Sequence, residues 1–136
     1  MSEITITENA ELPRDQILAL YRECEWSAAS RPDALLQALA GSDCVISAWD
    51  QSLLVGLGNA ISDGALVVYY PHLLVRPAYR RRGVGRRIME AFRERYGAFH
   101  QQALLAVSGA SVFYESVGFT RAQSVMPMWV YDDSDH

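Results

Sequence analysis

The run Leu73-Leu74-Val75-Arg76-Pro77-Ala78-Tyr79-Arg80-Arg81-Arg82-Gly83-Val84-Gly85-Arg86-Arg87-Ile88-Met89 constrains the fold more than any other stretch of this chain. An apolar strand ends at Val75, an arginine-dense loop follows, and two glycines open a helix. Glycines let backbone N–H groups turn toward an anion and approach it closely. The start of a helix adds unsatisfied donors and the positive end of a dipole. Arginines contribute permanent charge and forked donors suited to a pyrophosphate. In that order, the three features build a pocket for phosphate.

Two common phosphate-binding plans do not fit. A P-loop needs a lysine directly after its second glycine, and the chain contains no lysine. A dinucleotide-binding βαβ unit would place its third glycine at Ile88. Its glycines would also follow the strand at once, rather than after an Arg/Pro loop.

The run instead resembles the acyl-CoA site of the GNAT superfamily of N-acetyltransferases. That family's signature, Gln/Arg-x-x-Gly-x-Gly/Ala after a strand ending in Leu-x-Val-x-Pro, reads here as Arg80-x-x-Gly83-x-Gly85 after Leu73-x-Val75-x-Pro77. A second run, Ala110-Ser111-Val112-Phe113-Tyr114-Glu115-Ser116-Val117-Gly118-Phe119, resembles the family's Ala-x-x-Phe-Tyr-Glu-x-x-Gly-Phe segment. The interval between the two leaves room for one helix and one strand, as the family requires. The resemblance extends over residues 43–131 and matches only in pattern before that.

With 136 residues, half of them hydrophobic, the chain is expected to form one domain over residues 1–136 with an ample core. The overall charge of −4 hides an asymmetry: residues 76–95 carry eight of the twelve arginines against Glu90 and Glu94, so this segment is +6 and the remainder −10. A local basic patch on an acidic chain suits a small polyanion better than a nucleic-acid duplex. Arg93 and Arg95, well past the first helical turn, read as solvated helix surface. Cys24 and Cys44 show no metal-type spacing and read as buried reduced thiols. The acidic Met1-Ser2-Glu3-Ile4-Thr5 start lacks a signal-peptide profile, and no apolar run reaches membrane-span length. These features make a cytoplasmic location the expectation, with no metal and no membrane partner.

Ile4-Thr5-Ile6-Thr7 alternates as a first strand. Pro13 opens a helix with Ile17, Leu20, Tyr21 and Cys24 in one apolar row, and Pro32 a second with Leu35, Leu36 and Leu39 buried before Gly41. Residues 44–49 and 53–57 read as a hairpin around Asp50-Gln51-Ser52. A fourth strand is expected over 65–75. Next comes a helix from Gly83 to Tyr96 with Val84, Ile88, Met89, Phe92 and Tyr96 inward. Residues 103–107 read as a central strand buried on both faces, 110–117 as a short helix, 119–131 as a final strand pair, and 132–136 as a solvated tail. The expected fold is α/β: a mixed, twisted sheet with helices on both faces.

The resemblance implies splayed central strands, the fourth and fifth, with the pantetheine arm of CoA between them. It assigns backbone contacts to Leu73, Leu74 and Val75, and phosphate contacts to Arg80, Arg81, Arg82, Gly83, Val84, Gly85, Arg86 and Arg87. Tyr114 aligns with the family's general acid, which protonates the departing sulfur. Transfer is direct, without an acyl-enzyme, and a backbone N–H near Leu74 or Val75 is the donor to the thioester carbonyl. The sequence departs from the family twice. Where many members carry a carboxylate on the fourth strand, this chain has Pro71-His72. His72 is read either as a base, acting directly or through water, or as a structural residue capping the splayed strand. Val107 replaces a CoA-contacting asparagine, leaving Ser108 or Ser111 as substitutes. Acceptor recognition falls to Tyr21, Glu25, Trp26, Tyr69, Tyr70 and Trp129, with Glu25-Trp26 offering a carboxylate and an aromatic face to a cationic amine. The function implied is acetyl-CoA-dependent transfer to a primary amine of a small molecule or peptide. The alternative is an acyl-CoA sensor on the same fold, and Val125-Met126-Pro127-Met128-Trp129 is a candidate homodimer surface.

Overall fold

The computed structural model describes residues 3–133, leaving Met1, Ser2 and the last three residues of the expected tail outside the described residues. Six strands form one mostly antiparallel sheet. Strands β1 (Ile4–Glu8), β2 (Cys44–Asp50) and β3 (Leu53–Ser62) pair in succession. Both β4 (Val67–Tyr69) and β5 (Leu73–Val75) then pair with β3, at different ends of it: β4 on Ile61 and Ser62, β5 on Gly56–Gly58. Strand β6 (Gln101–Ala103) lies parallel to β4 at the sheet edge.

Alternation along β2 sends Cys44, Ile46 and Ala48 to one face and Val45 to the other. Helices α1 (Arg14–Glu23) and α2 (Pro32–Ala40), started by Pro13 and Pro32 as expected, cover the Val45 face with Ile17, Leu20, Tyr21, Leu35 and Leu39. The opposite face is covered by α3 (Val84–Arg95), through Val84, Ile88, Met89 and Phe92, and by α4 (Ser111–Ser116). A bulge sets the face of β3: Val55 is an extra residue opposite Ala48 and Trp49, so Leu54 and Leu57 both face α1 while Gly56 and Gly58 face α3. The missing side chains let α3 lie close to the sheet. A Cβ on Gly58 would stand 2.8 Å from a Phe92 ring carbon and 3.1 Å from Ile88 Cγ2. Gly58→Ala is therefore expected to destabilise the fold by about 1–3 kcal/mol through overpacking. A lower urea midpoint at unchanged slope would register it.

Three expectations are corrected. The fourth strand is not continuous over 65–75: Pro71 has no N–H to give a ladder, and pairing lapses between Tyr69 and Leu73. Asn59 bridges the lapse, its N–H donating to the His72 carbonyl (3.1 Å) and its Oδ1 accepting the His72 N–H (3.0 Å). Residues 103–107 are not a strand buried on both faces. Only 101–103 pair, on the sheet edge, and Val107 is 44% exposed, because β6 follows β4 while β5 stays on β3. Residues 119–131 contain no strand. The neighbouring edge offers three residues in strand conformation, Pro127 interrupts any ladder, and Val125, Met126, Met128 and Val130 stand exposed. Among the described residues no helix is long and apolar enough to cross a membrane.

Candidate functional site

The site is organised by a gap in the sheet. Arg76 N–H donates to Val55 C=O (2.8 Å), and Asn59 N–H to His72 C=O. With the register Leu57 opposite Leu74, these bonds fix which residues of β5 face β3. Leu74 turns its N–H and C=O into the ladder, while Leu73 and Val75 turn theirs away from it. Because β6 pairs with β4, no strand among the described residues lies beside the far edge of β5. The Val75 carbonyl on that edge accepts the Cys24 thiol (3.3 Å) and Arg80 Nε (3.0 Å).

A single helical turn at Pro77–Tyr79 carries the chain from β5 to the arginine loop. Arg81 (φ 65°) and Gly83 (φ 78°) are both left-handed, the alternation of hand that makes concavities of N–H groups for anions. Nothing lies within 4 Å of a Cβ built on Gly83, so glycine is required there for its handedness. The first bond of α3 runs from Arg87 N–H to the Gly83 carbonyl, leaving the N–H groups of Val84, Gly85 and Arg86 at the helix mouth.

The arginines divide by task. Arg80, Arg81 and Arg82 are exposed at the loop, Arg82 lying over the Tyr79 ring at 5.2 Å. Arg76 is buried, bonded to the Leu54 carbonyl (2.7 Å) and ion-paired with Glu23. Arg87 donates to the Ile4 carbonyl (2.8 Å), and Arg95 pairs with Glu8. Arg86 donates to the Ser116 carbonyl (3.2 Å) and hydroxyl (2.9 Å), and Arg93 to the Val117 carbonyl (2.8 Å) while lying over the Phe119 ring. Arg93 and Arg95 are thus tied into the fold rather than loose on a solvated surface. Arg86 and Arg93, two turns apart on α3, clamp the end of α4.

Tyr114 is carried by α4. Gly85 brings the two helices together, since a Cβ there would stand 3.3 Å from the Phe113 ring. The Tyr114 ring meets Phe113 and Phe119 edge-on at 5.1 and 6.1 Å, and burial pushes its phenol up to about 12. It lines a cleft of about 810 Å³ with Ser108, Ser111 and Trp129, between residues 101–108 and the C-terminal segment. Neither β5 nor the arginine loop lines that cleft. Contact between α3 and α4 is what joins Tyr114 to them.

On the other side of β5, His72 Nδ1 lies 2.8 Å from the Tyr21 hydroxyl, and the Trp26 ring stands edge-on to both His72 and Tyr21. Tyr21, expected to help recognise an acceptor, is fully buried in the apolar row of α1 and meets His72 through its hydroxyl. Glu25 and Trp26 line an open hollow of about 580 Å³ with Arg22 and Asp133. Strand alternation separates the two neighbouring tyrosines. Tyr70 goes into the core against Phe92, its hydroxyl donating to Gln102 Oε1 (2.7 Å). Tyr69 faces the α1 side, half-exposed, its phenol raised by burial. The Asn59 bridge to His72, the bond of the Cys24 thiol to Val75 and the Arg86–Arg93 clamp were not read from the sequence. A lone asparagine inside the apolar run of β3, and two arginines seven residues apart on α3, were the available signals.

A family model described as the acetyltransferase (GNAT) domain matches residues 41–121. Among solved structures, a GNAT-family acetyltransferase from Streptococcus pneumoniae TIGR4 superposes with a TM-score of 0.83 at 26% identity, over 96% of this chain and 100% of that one. The aminoglycoside N-acetyltransferase AAC(6′)-Iy in complex with CoA superposes at 0.72 with 16% identity over 96% of each chain. An aminoglycoside acetyltransferase from an uncultured soil metagenomic sample, in complex with sisomicin, superposes at 0.68 with 18% identity over 96% of this chain and 97% of that one. At the two lower identities the likeness is one of fold. A comparison with curated protein sequences finds no match.

Proposed function

The chain belongs to the GNAT acetyltransferase family, and from that premise we propose that it transfers an acetyl group directly from acetyl-CoA to a primary amine of a small molecule or peptide. The observation that carries this reading is the open edge of β5, with the N–H groups of Leu73 and Val75 on it, immediately ahead of Arg80–Arg82 and the mouth of α3. An extended amide-bearing arm suits that edge, and a pyrophosphate suits the loop beyond it. The residues present therefore fit CoA.

In the proposed reaction the amine nitrogen bonds to the thioester carbon and the carbon–sulfur bond breaks. The nitrogen gives up a proton and the sulfur gains one. Val75 N–H is the proposed donor to the carbonyl oxygen as charge develops there, a role worth about 2.7–4 kcal/mol in other enzymes. Tyr114 is the proposed acid toward sulfur, and His72 the residue that meets the amine side. Arg80, Arg81 and Arg82, with the N–H groups of Val84, Gly85 and Arg86, would hold phosphates. Glu25, Trp26, Tyr69 and Trp129 would line the approach of the amine. Two neighbours in fold carry aminoglycoside acetyltransferase names, and Glu25 and Asp133 in one hollow suit a polycationic amine.

The test is calorimetric titration with acetyl-CoA, CoA and dephospho-CoA, followed by thiol release with a panel of aminoglycosides, polyamines and peptide N-termini. Binding of acetyl-CoA with amine-dependent thiol release is the expected result. Absence of binding would overturn the proposal, and binding without release from any amine would convert it to the acyl-CoA sensor.

A further inference from the structure

Tyr21 and His72 come from elements 51 residues apart, and their side chains meet inside the protein at 2.8 Å. The phenol is fully buried. Among the described residues its hydroxyl has no hydrogen-bond partner other than His72 Nδ1. A hydroxyl carries one proton, and a buried donor without an acceptor is strongly disfavoured. If Nδ1 carried a hydrogen, the phenol would have to accept it, and its own proton would point into apolar packing among Tyr21's core neighbours. If Nδ1 is bare, the phenol donates to it and both groups are satisfied. Burial also raises the phenol far above its ordinary range, which favours the protonated, donating form. The ring has little freedom to escape the choice. Trp26 stands edge-on to it at 4.9 Å, and both backbone groups of His72 are tied to Asn59.

We infer that Tyr21 is a positioning residue whose buried hydroxyl donates to His72 Nδ1 and holds the neutral imidazole with its proton on Nε2. The inference rests on the proposed function only in giving His72 a place on the amine side; the tautomer itself follows from the packing. Its consequence is chemical. A neutral imidazole with hydrogen on Nε2 and Nδ1 already bonded has no free lone pair, so it presents a donor and not a base. His72 then orients a lone pair or a developing negative charge by hydrogen bonding, and the amine delivers its proton elsewhere.

The decisive measurement is a long-range ¹H–¹⁵N correlation spectrum of the labelled full chain above the imidazole titration range. The chain has three histidines, and the His72 signals are those lost in His72→Gln. Exposed His100 serves as the reference. A protonated-type Nε2 with a bare-type Nδ1 at His72, relaxing toward the His100 pattern in Tyr21→Phe, is the expected result. A protonated-type Nδ1 in the parent chain, or a pattern unchanged in Tyr21→Phe, would overturn it. Where an amine is turned over, His72→Gln, which keeps a donor, should retain at least tenfold more kcat than His72→Ala. Equal loss in the two variants would overturn the donor role. The spectrum requires no substrate, so failure of the acetyl-transfer reading and failure of this one remain separate results.

Discussion

Tyr114→Phe is expected to lower kcat by about 10²–10⁴-fold, the range of a positioned general acid, while leaving CoA affinity close to that of the parent chain. The affinity should survive because Tyr114 lines the cleft beside residues 101–108, whereas the open edge of β5 and the arginine loop are separate surfaces. The pH behaviour follows from the direction of its shift. Burial pushes the phenol up to about 12, so the acid is present in its protonated form throughout the neutral and mildly alkaline range. Rate should therefore rise with pH as the amine loses its proton, and should not fall again until the phenol ionises near that value. A phenol so weakly acidic gives a proton to a thiolate of ordinary thiol pKa, about 8.5, only against a gradient. It needs the proton leaving the amine nitrogen to restore it in the same event. Steady-state kinetics across pH with calorimetry on the variant would check this. An unchanged kcat with intact CoA binding would remove Tyr114 from the chemistry.

The second large effect is expected at Gly118. Its φ of 103° lies where side-chain-bearing residues are strained, and a Cβ there would overlap Arg93 Nη1. That guanidinium is held by the Val117 carbonyl and the Phe119 ring, and its Nε is already buried without a partner among the described residues. Gly118→Ala therefore meets about 1–3 kcal/mol of backbone strain. It also displaces a charged donor from a buried carbonyl, a further loss of about 1.5–3 kcal/mol. The expected sum is about 2.5–6 kcal/mol of stability, with kcat reduced at least tenfold because the clamp positions the helix that carries Tyr114. Arg93→Met removes the obstruction but leaves the backbone strain, so the double variant should lose less than the two single variants added together. Strict additivity in denaturant titrations would show that the guanidinium is not what fills the space beside Gly118.

Much of this architecture was legible in the sequence because local chemistry forces it. Pro13 and Pro32 set helix starts, the apolar row from Val84 to Phe92 marks the buried stripe of α3, and Gly83 marks the left-handed entry to it. Tyr21 lies in the same row as Ile17 and Leu20, so its burial was readable, but its hydroxyl's partner was not: His72 is remote in sequence. The arginine run illustrates the limit. Charge and spacing announce an anion site, yet which guanidinium faces solvent depends on where β1, α1 and α4 fold back. Arg76, Arg86 and Arg87 are claimed by carbonyls of Leu54, Ser116 and Ile4. The apolar runs at 103–107 and 119–131 misled because a run of hydrophobic residues says nothing about which neighbour completes a ladder.

Among the described residues β5 pairs with β3 alone, and the groups left open on it belong to the main chain. In the proposed complex the ligand is met there by atoms that every residue possesses. Leu73 and Val75 can be exchanged for other apolar residues of similar bulk without altering the donors presented, so the side chains of β5 answer to the core and its peptide groups to the ligand. A site written in backbone can drift in sequence while keeping its function. The same fold can consequently be held in common at 16–26% identity, with the letters of this strand carrying little of the message.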